Sequence, residues 1–369
     1  MHIQRLLIDR LRCLDKVELS LGPGLHVFVG PNGSGKTSVL EAAALLGSGR
    51  SFRAGAQDAL IARGADKLSV FAELEIFSDV QQVGFERSHK GWRGRLNGLD
   101  ITQLTQLVRL APIWVVEPNS HELISGGSEP RRALIDWLLF HVEPTFAEIA
   151  ARYKAALRQR NALLKFESDA KELESWTAMV VVLGTELAEL RNRYMPEWIS
   201  AVRKSAARLL PELGAVSLSF KSGWPSELSE ISAAEAMAAR LVRDRALGYT
   251  SAGPHRADWI LSFKHAPARE QFSRGQAKNA CLSAVFGTLA CYHAHSGEKP
   301  VLCLDDLFSE LDLEHQAHCL RLAFEVADQV LVTGVALSDA LSAWPGQVRV
   351  WKVEGDFCGA VAQQSNSVG

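Results

Sequence analysis

The hydrophobic pattern of this chain changes period along its length. Up to about residue 125 the apolar positions fall into short runs and alternations that predict strands. Ile3, Leu6, Leu7 and Ile8 open the chain, Val17, Leu19 and Leu21 alternate with polar residues, and Leu25-His26-Val27-Phe28-Val29 is an apolar run typical of a buried strand. Val70, Ala72, Leu74 and Ile76 alternate with Ser69, Phe71, Glu73 and Glu75, and Asn97-Gly98 predicts a hairpin turn. Residues 110–116 predict a further strand. From 131 to 210 the period becomes helical: Leu134, Ile135, Leu138, Leu139, then Phe146, Ile149, Tyr153, Leu157, Leu164, then Trp176, Val180, Leu183, Leu187, Leu190, Tyr194. Ser128 reads as the N-cap of the first helix, and Pro196 as a kink or restart in the last. Residues 144–166 amount to 23 positions, about 35 Å of helix, which suits a short helical hairpin rather than a long coiled arm. Val216, Leu218 and Phe220 suggest a strand, 233–247 a helix, and sheet-like segments resume at 259–263. The expected class is α/β. A lobe with a mixed sheet is split into two parts, 1–125 and 248–369, around a mainly helical insertion, 126–247.

Composition changes this picture little. Of 369 residues, 47% are hydrophobic and 22% charged, and the net charge is −2, ordinary values for a globular chain. They neither announce nor exclude a nucleic-acid partner, because a local basic face suffices. The helical block carries Arg152, Lys154, Arg158, Arg160, Lys165, Arg191, Arg193, Arg203, Lys204 and Arg208 among acidic residues, a pattern equally suited to a solvated face. The six cysteines form no C-x-x-C pair and no zinc spacing. No signal-peptide core and no apolar run of about 20 residues is present, so the chain is expected in the cytoplasm, without a membrane span.

The chemistry is concentrated in a few motifs. Gly30-Pro31-Asn32-Gly33-Ser34-Gly35-Lys36-Thr37 fits the phosphate-binding pattern G-x-x-x-x-G-K-[ST]. It stands between a buried strand and a helix N-terminus, where free N–H groups and the helix dipole face an anion. Lys36 is expected to reach the β- and γ-phosphates of a nucleoside triphosphate, which the motif by itself does not identify, and the Thr37 hydroxyl to ligate Mg²⁺. Val301-Leu302-Cys303-Leu304-Asp305-Asp306 is an apolar strand ending in two carboxylates. Asp305 is assigned to Mg²⁺ and Asp306 to orienting or deprotonating the attacking water. Upstream, Ser273-Arg274-Gly275-Gln276 opens a long apolar helix that Ser273 can cap. Downstream comes Ser309-Glu310-Leu311-Asp312.

In that order these elements resemble the ABC-type ATPase heads, in which the signature Ser and Gly of one subunit contact the γ-phosphate held by the other. Within that group the chain resembles the RecF family of bacterial DNA repair proteins. Leu11-Arg12-Cys13-Leu14 looks like that family's Arg-bearing loop. Residues 126–136, with Arg131, Arg132 and Asp136, look like its G-x-x-S-x-R-R-x-x-x-D element, and Gly253-Pro254-His255-Arg256 followed by Asp258 is similar to its G-P-H-R-x-D segment. The matching elements run from residue 11 to 312. The resemblance implies an ABC-type ATPase lobe with ATP and Mg²⁺ as cofactors. Arg12 and residues 30–37 would bind nucleotide, Ser273, Arg274, Gly275 and Gln276 would act in trans, and Asp312 would lie in the D-loop. It further implies an ATP-dependent homodimer on double-stranded or single/double-strand junction DNA, without sequence preference. Hydrolysis would be slow and switch-like, and RecO- and RecR-type mediators would help load the RecA recombinase. The chain departs from the pattern at Glu117-Pro118-Asn119, which lacks a Gln, and at Thr333-Gly334, where many ABC ATPases carry a His. A transporter-type nucleotide-binding subunit is the alternative, but it would use that Gln and that His. A chromosome-cohesion head would need longer helical arms.

Overall fold

The alternating segments of the first third pair into one antiparallel sheet. The computed structural model describes residues 1–53, 57–165, 170–225, 232–354 and 357–361. Strands β1 (His2–Leu11), β2 (Leu14–Ser20), β4 (Lys67–Ile76), β5 (Asp79–Ser88), β6 (Gly91–Leu96) and β7 (Leu99–Ile101) lie in the order β2-β1-β4-β5-β6-β7. Register follows burial: Leu6 stands between Leu19 and Ala72, and Ile8 between Val17 and Val70, so one face is continuously apolar. Asn97 and Gly98 take φ of 49° and 82°, the left-handed pair that a two-residue hairpin turn requires.

The continuous apolar runs form a second sheet. It comprises β3 (Gly24–Val29), β8 (Ile113–Val116), β11 (Val301–Leu304), β12 (Gln329–Gly334), β13 (Val348–Glu354) and β14 (Phe357–Val361), in the order β14-β13-β3-β12-β11-β8. Its pairings are parallel except for β14 on β13. Helix α1 (Lys36–Ser48) follows β3 and packs against strands of both sheets. That explains why Val39, Leu40, Ala42, Ala43, Leu45 and Leu46 are all buried: a helix between two sheets is apolar around most of its circumference. Before β8 lies α2 (Leu104–Leu110), so the strand expected from residue 110 begins at Ile113. Helices α9 (Arg274–Ser296), α10 (Leu307–Glu310) and α11 (Leu313–Val326) complete this part.

Two compact units result, Met1–His121 with Arg274–Gly369, and Glu122–Ser273. The second contains α3 (Glu122–Ser125), α4 (Ser128–Val142), α5 (Phe146–Lys165), α6 (Ala170–Leu209), α7 (Ala233–Ala239), α8 (Leu241–Leu247) and the strands β9 (Val216–Lys221) and β10 (Asp258–Phe263). The return to the first lobe was expected at residue 248. Instead β10 pairs with β9, Leu261 opposite Leu218, in a separate two-stranded sheet, and residues 248–273 stay with the second unit. Three local expectations also change. Helix α6 passes through Pro196 and is 40 residues long, about 60 Å, with buried Met195, Trp198 and Val202 keeping its apolar face continuous. Helix α4 starts at Ser128 with Gly127, in extended backbone, as its cap, and the Ser128 hydroxyl accepts from Arg132 Nη1 at 2.6 Å rather than capping. The helix expected at 233–247 breaks at Arg240 into α7 and α8. No helix among the described residues is long and apolar enough to cross a membrane.

Candidate nucleotide-binding site

Residues 30–35 link β3 to α1, and their backbone is shaped by glycine. Gly33 and Gly35 take φ of 83° and 103°, a region that side chains with a Cβ avoid. At Gly30 a Cβ would lie 2.3 Å from the Val353 carbonyl oxygen, so the chain there runs tightly against β13. Lys36, the first residue of α1, folds back over its own loop, and Nζ donates to the carbonyls of Gly30 (2.8 Å) and Pro31 (2.9 Å). The buried Ser34 hydroxyl has no hydrogen-bond partner among the described residues. A buried polar group of this kind calls for one, and a phosphate oxygen would serve.

The two acids arrive from the far end of the sequence. Strand β11 lies beside β12 with Leu304 opposite Val332, which sets Asp305 next to Thr333. Asp305 Oδ1 accepts from Thr333 Oγ1 at 2.6 Å and from Thr37 Oγ1 at 3.0 Å. Asp306 takes left-handed backbone angles, φ 52° and ψ 40°. Its N–H donates to Thr333 Oγ1 at 2.8 Å, and its Oδ2 accepts from Ser309 Oγ at 2.8 Å. One threonine hydroxyl therefore fixes both acids, donating to one and accepting from the next. From the sequence, Thr333 marks only the place where many ABC ATPases carry a histidine. The available signal was a hydroxyl ending the apolar run that follows the two-acid strand. The contact between Thr37 and Asp305 fits Mg²⁺: two hard oxygens converge, and this ion keeps most of its remaining coordination for water and phosphate.

Lys36, Thr37, Asp305, Asp306 and Thr333 line one cavity of about 550 Å³, together with Arg12, Cys13, Phe52, Arg53 and residues 117–119. That volume is in the usual range for a small-molecule site. Phe52 and Arg53 were not singled out from the sequence as site residues, since they sit in a loop without periodicity. Arg12 is the first residue of the two-residue β1–β2 turn and takes φ 56°, where glycine is usual and another residue costs about 1–2 kcal/mol. Its guanidinium pairs with the buried Glu41 (Nε 2.9 Å, Nη2 2.7 Å) and donates through Nη1 to the Ala59 carbonyl at 3.0 Å. The hydrogen bonds to Glu41 hold the guanidinium above its usual pKa, so it stays charged.

The remaining candidates lie apart from the cavity lining. Arg274, Gly275 and Gln276 form the first turn of α9, and Ser273 precedes them; this chain does not bring any of the four into its own cavity lining. From the same helix the buried Lys278 donates through Nζ to the carbonyls of Glu117 (2.6 Å) and Pro118 (3.0 Å). Helix α9 thus holds the loop that stands where transporter heads carry a Gln. Asp312 caps α11, and its carboxylate accepts from the His315 N–H at 2.9 Å. That bond, with one from the His315 ring, pulls the carboxyl below its ordinary pKa.

In the second unit the two remaining motifs meet each other. Arg131 forms a two-pronged pair with Asp258 (2.6 and 3.1 Å), and Arg132 donates to the Ala257 carbonyl at 2.9 Å. Arg191 spans Asp136 and the Pro254 carbonyl, and His255 bonds to the Tyr153 hydroxyl at 2.7 Å and the Thr250 carbonyl at 3.0 Å. Residues 253–258 thus tie α4, α5 and α6 together, and their polar groups are engaged in that framework.

A phosphate loop ahead of a helix between two sheets, and paired acids ending a neighbouring parallel strand, define an ABC-type ATPase head of mixed α/β structure. Comparison with known proteins narrows the class. The family model described as RecF/RecN/SMC N terminal domain matches residues 2–343. The DNA replication and repair protein RecF of Stenotrophomonas maltophilia (strain R551-3) is 41% identical, over 92% of this chain and 94% of that protein. Its counterpart in Xanthomonas axonopodis pv. citri (strain 306) is 40% identical over 99% of both. The chain belongs to the RecF family. Among solved structures, the recombination mediator protein RecF with ATP, of the RecFOR pathway, superposes with a TM-score of 0.83 at 23% identity, covering 98% of this chain and 97% of that one. An Smc head bound to the C-winged helix domain of ScpA gives 0.62 at 16%, covering 100% and 99%. At those identities the structural likenesses speak for the fold.

Proposed function

We propose that this protein is an ATP-dependent DNA-binding protein of recombinational repair, a slow ATPase that works as a switch. The observation that carries the reading is the meeting of Thr37 and Asp305 at 3.0 Å, beside Lys36, in a cavity large enough for a nucleotide. Residues 30–37 and Arg12 bind ATP; Thr37 and Asp305 hold Mg²⁺, which when bound neutralises phosphate charge. Asp306 orients and deprotonates the attacking water. Ser273, Arg274, Gly275 and Gln276 stay out of their own chain's cavity lining, which suits a site completed by a second copy. ATP then bridges a homodimer, with Asp312 in the D-loop near the junction. DNA, double-stranded or at a single/double-strand junction, binds through its backbone, and hydrolysis releases both DNA and dimer. The names of the relatives support the assignment to repair. RecO- and RecR-type mediators and the loading of RecA follow from the same family reading.

The test is to size the protein with ATP, with ADP and without nucleotide, each with and without DNA, at about 50 and 200 mM salt. The reading requires an ATP-specific dimer whose DNA affinity falls steeply with salt, as counterion release dictates. A monomer under every condition, or DNA affinity indifferent to salt, contradicts it.

A further inference from the structure

We propose that Glu41 is a positioning residue of the nucleotide site, a buried carboxylate that aims Arg12 and braces the 51–53 segment at the rim of the cavity. The proposal rests on reading that cavity as the nucleotide site. Glu41 lies on α1 about one turn beyond Thr37, is fully buried, and does not line the cavity. Its oxygens accept from Arg12 Nε and Nη2 at 2.9 and 2.7 Å and from the Ser51 hydroxyl. Both partners belong to short segments that border the cavity, which Arg12, Cys13, Phe52 and Arg53 line.

The geometry points beyond charge neutralisation. The Arg12 side chain is 23% exposed, so water could have solvated it without a buried partner. The pair instead sets a planar fork on a carboxylate, which fixes orientation as well as charge. Of the five guanidinium N–H groups, these bonds and the one to the Ala59 carbonyl use three. One N–H on each terminal nitrogen stays available, in a direction set by Glu41. The left-handed backbone of Arg12 is a strained conformation of the sort that persists where surrounding structure holds it.

Glu41→Gln keeps the volume and one acceptor but loses the two-oxygen fork. We expect its affinity for a fluorescent ATP analogue, titrated on the full chain at 15 °C, to fall at least tenfold. The larger part of the loss in kcat/KM should appear in KM. Arg12→Gln should produce a similar loss, and combining the two changes should add little, because they act on one unit. Lys36→Met is the reference. If it binds the analogue as well as the wild type does, the nucleotide-site reading itself fails. If it loses binding while Glu41→Gln retains wild-type affinity, even with a lowered melting temperature, Glu41 is only a structural residue and the proposal is overturned. Should Glu41→Gln not fold, Arg12→Lys decides, since lysine keeps the charge but cannot form the fork. Wild-type affinity in Arg12→Lys overturns the proposal equally.

Discussion

Thr333→Val removes one hydroxyl and almost no volume, and two hydrogen bonds depend on that hydroxyl. It donates to Asp305 at 2.6 Å and accepts the Asp306 N–H at 2.8 Å. A bond to a charged group contributes about 1.5–3 kcal/mol, and an unsatisfied buried N–H costs about 1–3 kcal/mol. Because both act through one oxygen they do not add fully, and roughly 2–4 kcal/mol is expected. For a unit of about 150–250 residues each kcal/mol lowers the melting temperature by about 2–4 °C, so a fall of roughly 5–15 °C should appear by calorimetry. The functional effect is separate. Thr333 orients the carboxylate assigned to Mg²⁺, and loss of such an orienting partner typically costs about 10–100-fold in metal affinity or activity. ATP turnover measured against Mg²⁺ concentration should therefore shift by that factor in Thr333→Val and hardly at all in Thr333→Ser, which keeps the hydroxyl. A Thr333→Val protein that melts lower but keeps the wild-type Mg²⁺ dependence would refute the idea that this hydroxyl organises the two acids.

Three further outcomes follow from the same structure. Lys36→Met should lose tight ATP binding by isothermal calorimetry while keeping its fold; retained affinity would remove the phosphate-loop assignment. His26 is fully buried, its Nε2–H donates to the Gly22 carbonyl, and its Nδ1 accepts from the Trp351 indole. Burial lowers its pKa to about 4, so the unfolded chain binds the proton more readily, and the stability contributed by neutral His26 is present above about pH 6.5 and lost on acidification towards pH 4. Urea unfolding from pH 7 to 4.5 should register this loss, on the order of 3 kcal/mol, and a Phe replacement at residue 26 should flatten the profile; an equally steep profile in that variant would rule His26 out as the cause. Cys13 is exposed in the cavity, whereas Cys281, Cys291, Cys303 and Cys319 are buried, and burial pushes the thiols of Cys281 and Cys319 up to about 11 and 12. Maleimide followed by peptide mapping should label Cys13 first of these five, more slowly with ATP bound; labelling unaffected by ATP would count against nucleotide occupying that cavity.

Local chemistry made some of the molecule readable from the chain alone. The β3–loop–α1 passage was legible because its glycines, lysine and threonine are adjacent in sequence, and the strand with two acids because its apolar run is unbroken. Thr333 was not, since its role exists only once β12 lies beside β11. Glu41 belongs to no motif, and its pairing with Arg12 depends on a turn 29 residues away. The second unit's boundary was misplaced because Trp259-Ile260-Leu261-Ser262-Phe263 reads as a strand in any sheet, and sequence period does not say which. Pro196 suggested a kink or a restart, and α6 does not restart there, because the burial of Met195 and Trp198 outweighs one lost backbone hydrogen bond. The segment at 253–258 carried a family resemblance but no assigned role from the sequence, and in the structure it bonds to α4, α5 and α6 of its own unit.

The claim that ATP joins two copies, and that hydrolysis parts them, is tested most directly by light scattering on Asp306→Asn at saturating ATP and Mg²⁺. That variant keeps Lys36, Thr37 and Asp305, so it should bind ATP, fail to turn it over, and accumulate as a dimer. Adding Ser273→Arg, which places a bulky cation at the proposed junction, should return it to a monomer. A monomeric Asp306→Asn protein with ATP bound would contradict the account, as would a double variant that remains dimeric.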